Sequence, residues 1–122
     1  MAKIDEFSSL DATALAALVR QGQVKAIELV DAAIERIERL NLTLNAVVTP
    51  MYEQAREMAV GKLTHGPFAG IPFLLKDLGA PFAGVRMTMG SAFLRNFVPD
   101  HDSELVARLK RAGLIIIGKT NT

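Results

Sequence analysis

The chain has no cysteine, which excludes a disulfide framework, a thiolate metal site and a cysteine nucleophile together. A reducing compartment suits such a chain, and a cytoplasmic location is the expectation. Charge of one sign is also missing, because 14 Lys and Arg stand against 13 Asp and Glu for a net charge of +1. So balanced a chain offers no extended basic field, and neither nucleic acid nor an anionic membrane is expected as a partner. A leader-like apolar stretch is absent from residues 1–10, where Lys3, Asp5 and Glu6 interrupt single apolar residues. The apolar run at residues 114–117 is far too short to cross a bilayer. What the 122 residues do contain is apolar material, 50% of the chain, enough for the core of one domain.

Hydrophobic spacing divides the chain into helices and strands. Residues 11–21 should form a helix, with Asp11 as N-cap, Leu15, Leu18 and Val19 on one face, and Gly22 as a left-handed stop. A longer helix over 25–40 places Ile27, Val30, Ile34 and Ile37 on one stripe, with its charges mostly on the other faces. Residues 45–49 read as a short strand, and Thr49-Pro50 as the capped start of a third helix ending near Gly61. Gly66-Pro67 and Gly70-Ile71-Pro72 punctuate the chain before an apolar strand at 71–75. A long Gly- and Pro-containing loop with Met87, Thr88, Met89, Gly90 and Ser91 follows, and its length hints at binding. Asp102 should cap a helix with Leu105, Val106 and Leu109 facing inward, and Gly113 should stop it before a strand at 114–117. The expected fold class is α/β: N-terminal helices, then part of a mixed, largely parallel sheet flanked by helices.

The most informative stretch is Gly70-Ile71-Pro72-Phe73-Leu74-Leu75-Lys76-Asp77. A lysine directly after apolar residues is carried toward a protein interior, where burial disfavours its charged form and turns an amine of pKa about 10.4 into a base. Strand alternation sends Lys76 to the face of Leu74 and Pro72, with Phe73, Leu75 and Asp77 on the other, so the adjacent charges need not pair. The competing geometry is a strand-end lysine whose stem packs on apolar neighbours while its ammonium reaches solvent.

Together with Asn45-Ala46-Val47-Val48, Gly66-Pro67-Phe68-Ala69-Gly70-Ile71-Pro72 and the closing Arg111-Ala112-Gly113-Leu114-Ile115-Ile116-Ile117-Gly118-Lys119-Thr120-Asn121, these residues resemble the amidase signature family over nearly the whole chain. Within it, residues 66–78 and 118–122 look closest to bacterial amidases of the nylon-oligomer cyclic-dimer hydrolase kind. The resemblance implies that Lys76 is the terminal base of a Ser, cis-Ser, Lys triad that cleaves amides through an acyl-enzyme, without metal or organic cofactor. It further implies that residues 1–122 are the N-terminal portion of a single amidase domain whose serines lie downstream, so the chain alone is expected to be inactive. Its partner would be a small-molecule amide substrate. The alternatives are an amidotransferase A-type subunit, or an incompetent piece that self-associates as a homo-oligomer through its exposed sheet. Lys25 departs from the family, which often has a small hydroxyl cap there.

Other signals point to ordinary structural roles. Residues 113–120 spell G-L-I-I-I-G-K-T and fit a P-loop pattern, but the stiff apolar run at 114–117 follows a helix and cannot curl around phosphate. Asp100-His101-Asp102 has adjacent side chains that point apart, so cap and loop roles are expected and no metal site. Ser91, in the loop that lines the site in the family, is not expected to be a nucleophile. His65 reads as a turn residue, and Met51, Met58, Met87 and Met89 as core filling.

Overall fold

A computed structural model describes residues 4–122. Residues 1–3, the start of the segment read as lacking a leader, lie outside the described residues. The elements run α1 (Ile4–Ser8), α2 (Ala12–Arg20), α3 (Ala26–Leu44), β1 (Val47–Pro50), α4 (Tyr52–Val60), β2 (Pro72–Lys76), a 3-10 turn (Ala92–Leu94), α5 (Glu104–Arg111) and β3 (Ile115–Thr120). The strand order is β1-β3-β2; β3 lies antiparallel to β1 and parallel to β2. The expected mixed α/β fold is therefore present, its described sheet holding one parallel and one antiparallel pair.

Local chemistry accounts for most boundaries. Asp11 caps α2 by accepting from the Ala14 N–H at 2.8 Å, and Gly22 takes φ +73 just beyond it. Lys25 stands at the N-cap of α3 without a hydroxyl, and Glu28 compensates by accepting from the Lys25 N–H at 2.8 Å. This helix runs beyond residue 40 to Leu44 and stops where Asn45 adopts φ 48. The Asn41 side chain then donates to the Val47 carbonyl and accepts from its N–H, at 2.8 and 2.9 Å, turning the chain into β1.

Two expected caps are corrected. Thr49 and Pro50 belong to β1, and α4 begins at Tyr52 after Met51, because the Met51 N–H bonds the Ile117 carbonyl at 3.0 Å and keeps this segment on the sheet. Ser103, not Asp102, caps α5, its hydroxyl accepting from the Val106 N–H at 3.2 Å. Ser103→Ala is expected to lower unfolding free energy by about 1 kcal/mol, measurable by urea denaturation.

Asp102 is engaged elsewhere: its carboxylate accepts from the Ala83 N–H at 2.8 Å and from Lys110 Nζ at 2.6 Å, with that ammonium 4.0 Å from the Phe82 ring centroid. Burial pushes the Asp102 carboxyl up, but the bonds from Lys110 and Ala83 and the Lys110 and His101 charges outweigh it and hold the carboxyl below its ordinary value. A depressed folded pKa stabilises above the unfolded value of about 3.9 and ceases to do so as pH falls through the folded one. The stability gap between wild type and Asp102→Asn should therefore be present at pH 7 and shrink steadily below pH ~4 in urea titrations.

Helices α3 and α4 cover one face of the sheet with Val30, Ile34 and Ala55 against Ile115 and Ile117. On the other face, α5 and residues 80–85 bring Val106, Ala80, Phe82 and Val85 onto Leu75 and Ile116. With both faces covered, Ile115, Ile116 and Ile117 are buried in succession, as a central strand requires. Inward placement on α5 falls to Val106, fully buried, and Leu109, whereas Leu105 is exposed. Met51 and Met87 fill the core as expected, but Met58 and Met89 lie at the surface. Gly66 has a packing reason: a Cβ there would sit 2.4 Å from the Ala112 carbonyl, where the turn after α5 crosses the Gly66-Pro67 turn. Among the described residues no helix is long and apolar enough to cross a membrane.

Candidate active site

The site is built at the carboxyl ends of β2 and β3, the end of a parallel pair at which α/β sheets present ligands to their loops. In register, Leu75 lies beside Lys119 and Lys76 beside Thr120. The pairing slips between Phe73 and Leu74, so that β3 carries one residue more than β2: Phe73 faces Ile116, and Leu74 faces Gly118. That extra residue resets the alternation and turns Lys119 to the face of Leu75 and Asp77. Gly118 makes the slip feasible, since a Cβ there would meet Val47 Cγ1 at 2.9 Å.

The two lysines at this edge occupy opposite environments. Lys76 is exposed, and no hydrogen bond or ion pair among the described residues engages its ammonium. The expectation that Leu74 and Leu75 carry it into the interior is corrected: alternation places its neighbour Leu75 in the core while Lys76 projects past the last apolar contact. Lys119 is the interior lysine, with no exposure at all, and burial pushes its amine below the ordinary lysine value while Asp77 acts against that shift. Its Nζ is 3.7 Å from Asp77 Oδ1, a Coulombic pairing beyond hydrogen-bond reach, and has no hydrogen-bond acceptor among the described atoms.

Asp77 is 1% exposed and answers to more than one element. Its carboxylate accepts from the Thr88 N–H, 3.1 Å to each oxygen, and from the Thr88 hydroxyl at 2.5 Å. Its own N–H continues the ladder to the Thr120 carbonyl at 3.1 Å, and its carbonyl accepts from Thr122 Oγ1 at 3.4 Å. The long loop after β2 is thereby pinned beside Lys76.

Of the remaining candidates only Ser91 lies next to this edge, its N–H donating to the Thr88 carbonyl at 2.9 Å. Ser91 caps the 3-10 turn, its Oγ accepting from the Phe93 N–H at 3.3 Å. Asp100 and His101 pair with each other at 3.0 Å in solvent, while Asp102 turns inward to Lys110. His65 is exposed in the loop before Gly66. The G-L-I-I-I-G-K-T run is a left-handed turn at Gly113, φ +95, followed by sheet, with no phosphate cradle in it. The Lys119–Asp77–Thr88 cluster was missed from sequence. Its signal was the glycine inside an otherwise β-branched strand, which marks a bulge and hence a change of face.

The amidase family model matches residues 28–122, and the chain belongs to this family. Along its whole length the chain is 40% identical to the 6-aminohexanoate-cyclic-dimer hydrolase of Paenarthrobacter ureafaciens, of which it covers 24%. It is 42% identical to the A-type subunit of the glutamyl-tRNA(Gln) amidotransferase of Lachnospira eligens, over 93% of this chain and 25% of that protein. Among solved structures, 6-aminohexanoate cyclic dimer hydrolase with bound substrate superposes with a TM-score of 0.86 at 41% identity, covering 93% of this chain and 23% of that one. A bacterial aryl acylamidase of the amidase signature family superposes at 0.83 with 30% identity, over 93% of this chain and 25% of that one. The chain thus spans about a quarter of the length of the relatives it matches.

Proposed function

We propose that this chain supplies the general base of a serine amidohydrolase that cleaves carbon–nitrogen amide bonds, and that Lys76 is that base. The observation that carries the reading is the placement of Lys76: a lysine with no ion-pair partner among the described residues, exposed at the carboxyl edge of the parallel pair, its backbone fixed on both sides. The unpaired amine at this edge is free to meet a serine hydroxyl brought from elsewhere in the fold, and the segment that carries the serines would close over it and supply the desolvation that makes a lysine a base. A lysine already neutralising a buried carboxylate, as Lys119 does, is not free in this way. In the triad that the family membership suggests, Lys76 draws a proton through a cis-serine, the nucleophilic serine adds to the amide carbonyl, and the proton passes to the departing amine. Both serines would come from outside this edge of the sheet.

The test is a chimera in which this chain replaces the matching quarter of the Paenarthrobacter ureafaciens hydrolase. The expected outcome is hydrolysis of 6-aminohexanoate cyclic dimer with an accumulating acyl-enzyme, detected by mass spectrometry. A folded chimera with neither would count against the reading.

A second reading, self-association of this chain, is favoured by an apolar groove of about 430 Å³ between α3 and the sheet, lined by Ile37, Leu40, Leu44, Val47, Leu74 and Ile117. Both outer strands also leave an edge unpaired in the described sheet. Light scattering of the chain across a dilution series should then show a concentration-dependent mass; a constant monomer mass refutes it.

A further inference from the structure

Asp77 follows the candidate base directly, yet its side chain leaves Lys76 alone and turns the other way. Two separated parts of the chain meet on it: the long loop through Thr88, and the end of β3 through Lys119 and, just past it, Thr122. The contacts hold its N–H, its carbonyl and both carboxylate oxygens, so little freedom remains at the peptide joining it to Lys76. Thr88 is in turn the organising residue of its loop, its carbonyl accepting from the Ser91 N–H at 2.9 Å and its hydroxyl lying 3.4 Å from the Gly90 N–H. Gly90 then rests against Thr122, to whose Cβ a side chain there would approach within 3.5 Å. These contacts tie the loop, the end of β3 and the backbone beside Lys76 to one residue. Lys119 supplies the countercharge that permits a carboxylate to be buried there, and the slip in β3 brings it to the correct face.

We propose that Asp77 is a positioning residue: with Lys119 and Thr88 it forms a buried clamp that fixes the Lys76 backbone and holds residues 88–91 against the site. The proposal rests on the reading of Lys76 as base, but the clamp itself is independent of it.

Hydrogen exchange on the chain, read by mass spectrometry, separates the two. In Thr88→Val, which keeps the shape and removes the hydroxyl donor, amides of residues 88–91 should exchange about tenfold faster or more, while those of β3 and α3 keep their protection. Unchanged exchange, or an equal rise throughout, overturns the clamp. In the chimera, Thr88→Val should lower kcat by about 10- to 100-fold with little change in KM. The double variant Asp77→Asn/Lys119→Met, which buries no charge, should refold stably yet keep a depressed kcat. A double variant with both stability and kcat at wild-type levels would reduce the cluster to packing and overturn the positioning role. Should Lys76→Ala leave turnover intact, the catalytic premise fails, and the exchange result alone decides whether Asp77 anchors the loop.

Discussion

Lys119→Met should bring the chain close to its unfolding threshold at room temperature. Removing one partner of a buried ion pair costs about 3–5 kcal/mol because the other charge stays desolvated and alone. A domain of this size has a total stability of about 5–15 kcal/mol, so a chain near the lower end loses nearly all of it. The charge left behind is on Asp77, 1% exposed, and the Thr88 donors alone do not replace a countercharge. Adding Asp77→Asn should restore most of the loss, because a neutral amide and a thioether can share the same space without a buried charge. Urea unfolding of the four proteins, read as a double-mutant cycle, measures the coupling. Equal midpoints for Lys119→Met and wild type would show that the two side chains are not paired.

Lys76→Ala should have the opposite profile. The side chain is exposed and takes no part in the three hydrophobic clusters, so its truncation should change stability by less than about 0.5 kcal/mol. In the chimera with the Paenarthrobacter ureafaciens hydrolase, however, kcat/KM should fall on the order of 10²- to 10⁴-fold, the range that a positioned proton acceptor contributes. Two lysines one strand apart would then divide the work, the buried one holding the fold and the exposed one serving the reaction. Loss of turnover accompanied by loss of folding would not fit this division, and thermal denaturation of the same preparations tells the cases apart.

The helical part of the fold was legible because its signals are local. Asp11 and Gly22 bracket α2 through their own side-chain and backbone preferences, and the 3.6-residue stripe of α3 needs only its own residues. The two misjudged helix starts each involve a competing partner elsewhere in the chain. Thr49-Pro50 has the chemistry of a helix start, but β3 claims the segment through the bond from Met51 to Ile117. Asp102 has the chemistry of a cap, but Lys110 and Ala83 compete for its carboxylate and Ser103 takes its place.

The candidate site was legible at Lys76 and opaque at Lys119 for the same reason. Along β2, Phe73 and Leu75 join one core cluster and Leu74 another, and the same alternation separates exposed Lys76 from buried Asp77. Counting along Ile115–Thr120 with the same rule fails, because the slip beside Gly118 inverts the faces after Ile117. The burial expected of Lys76 thus belongs to Lys119, which drew notice only as part of the closing run and of a P-loop pattern.

Whether the Lys76 amine, and not merely the bulk of its side chain, transfers the proton is decided most directly by chemical rescue of the Lys76→Ala chimera with small primary amines. Turnover should rise saturably with added methylamine or ethylamine and should not rise with an isosteric alcohol, since truncation of Lys76 to Ala vacates the space that a small amine can occupy. Turnover that is indifferent to added amine, or a Lys76→Ala enzyme already working at the wild-type rate, would contradict the assignment.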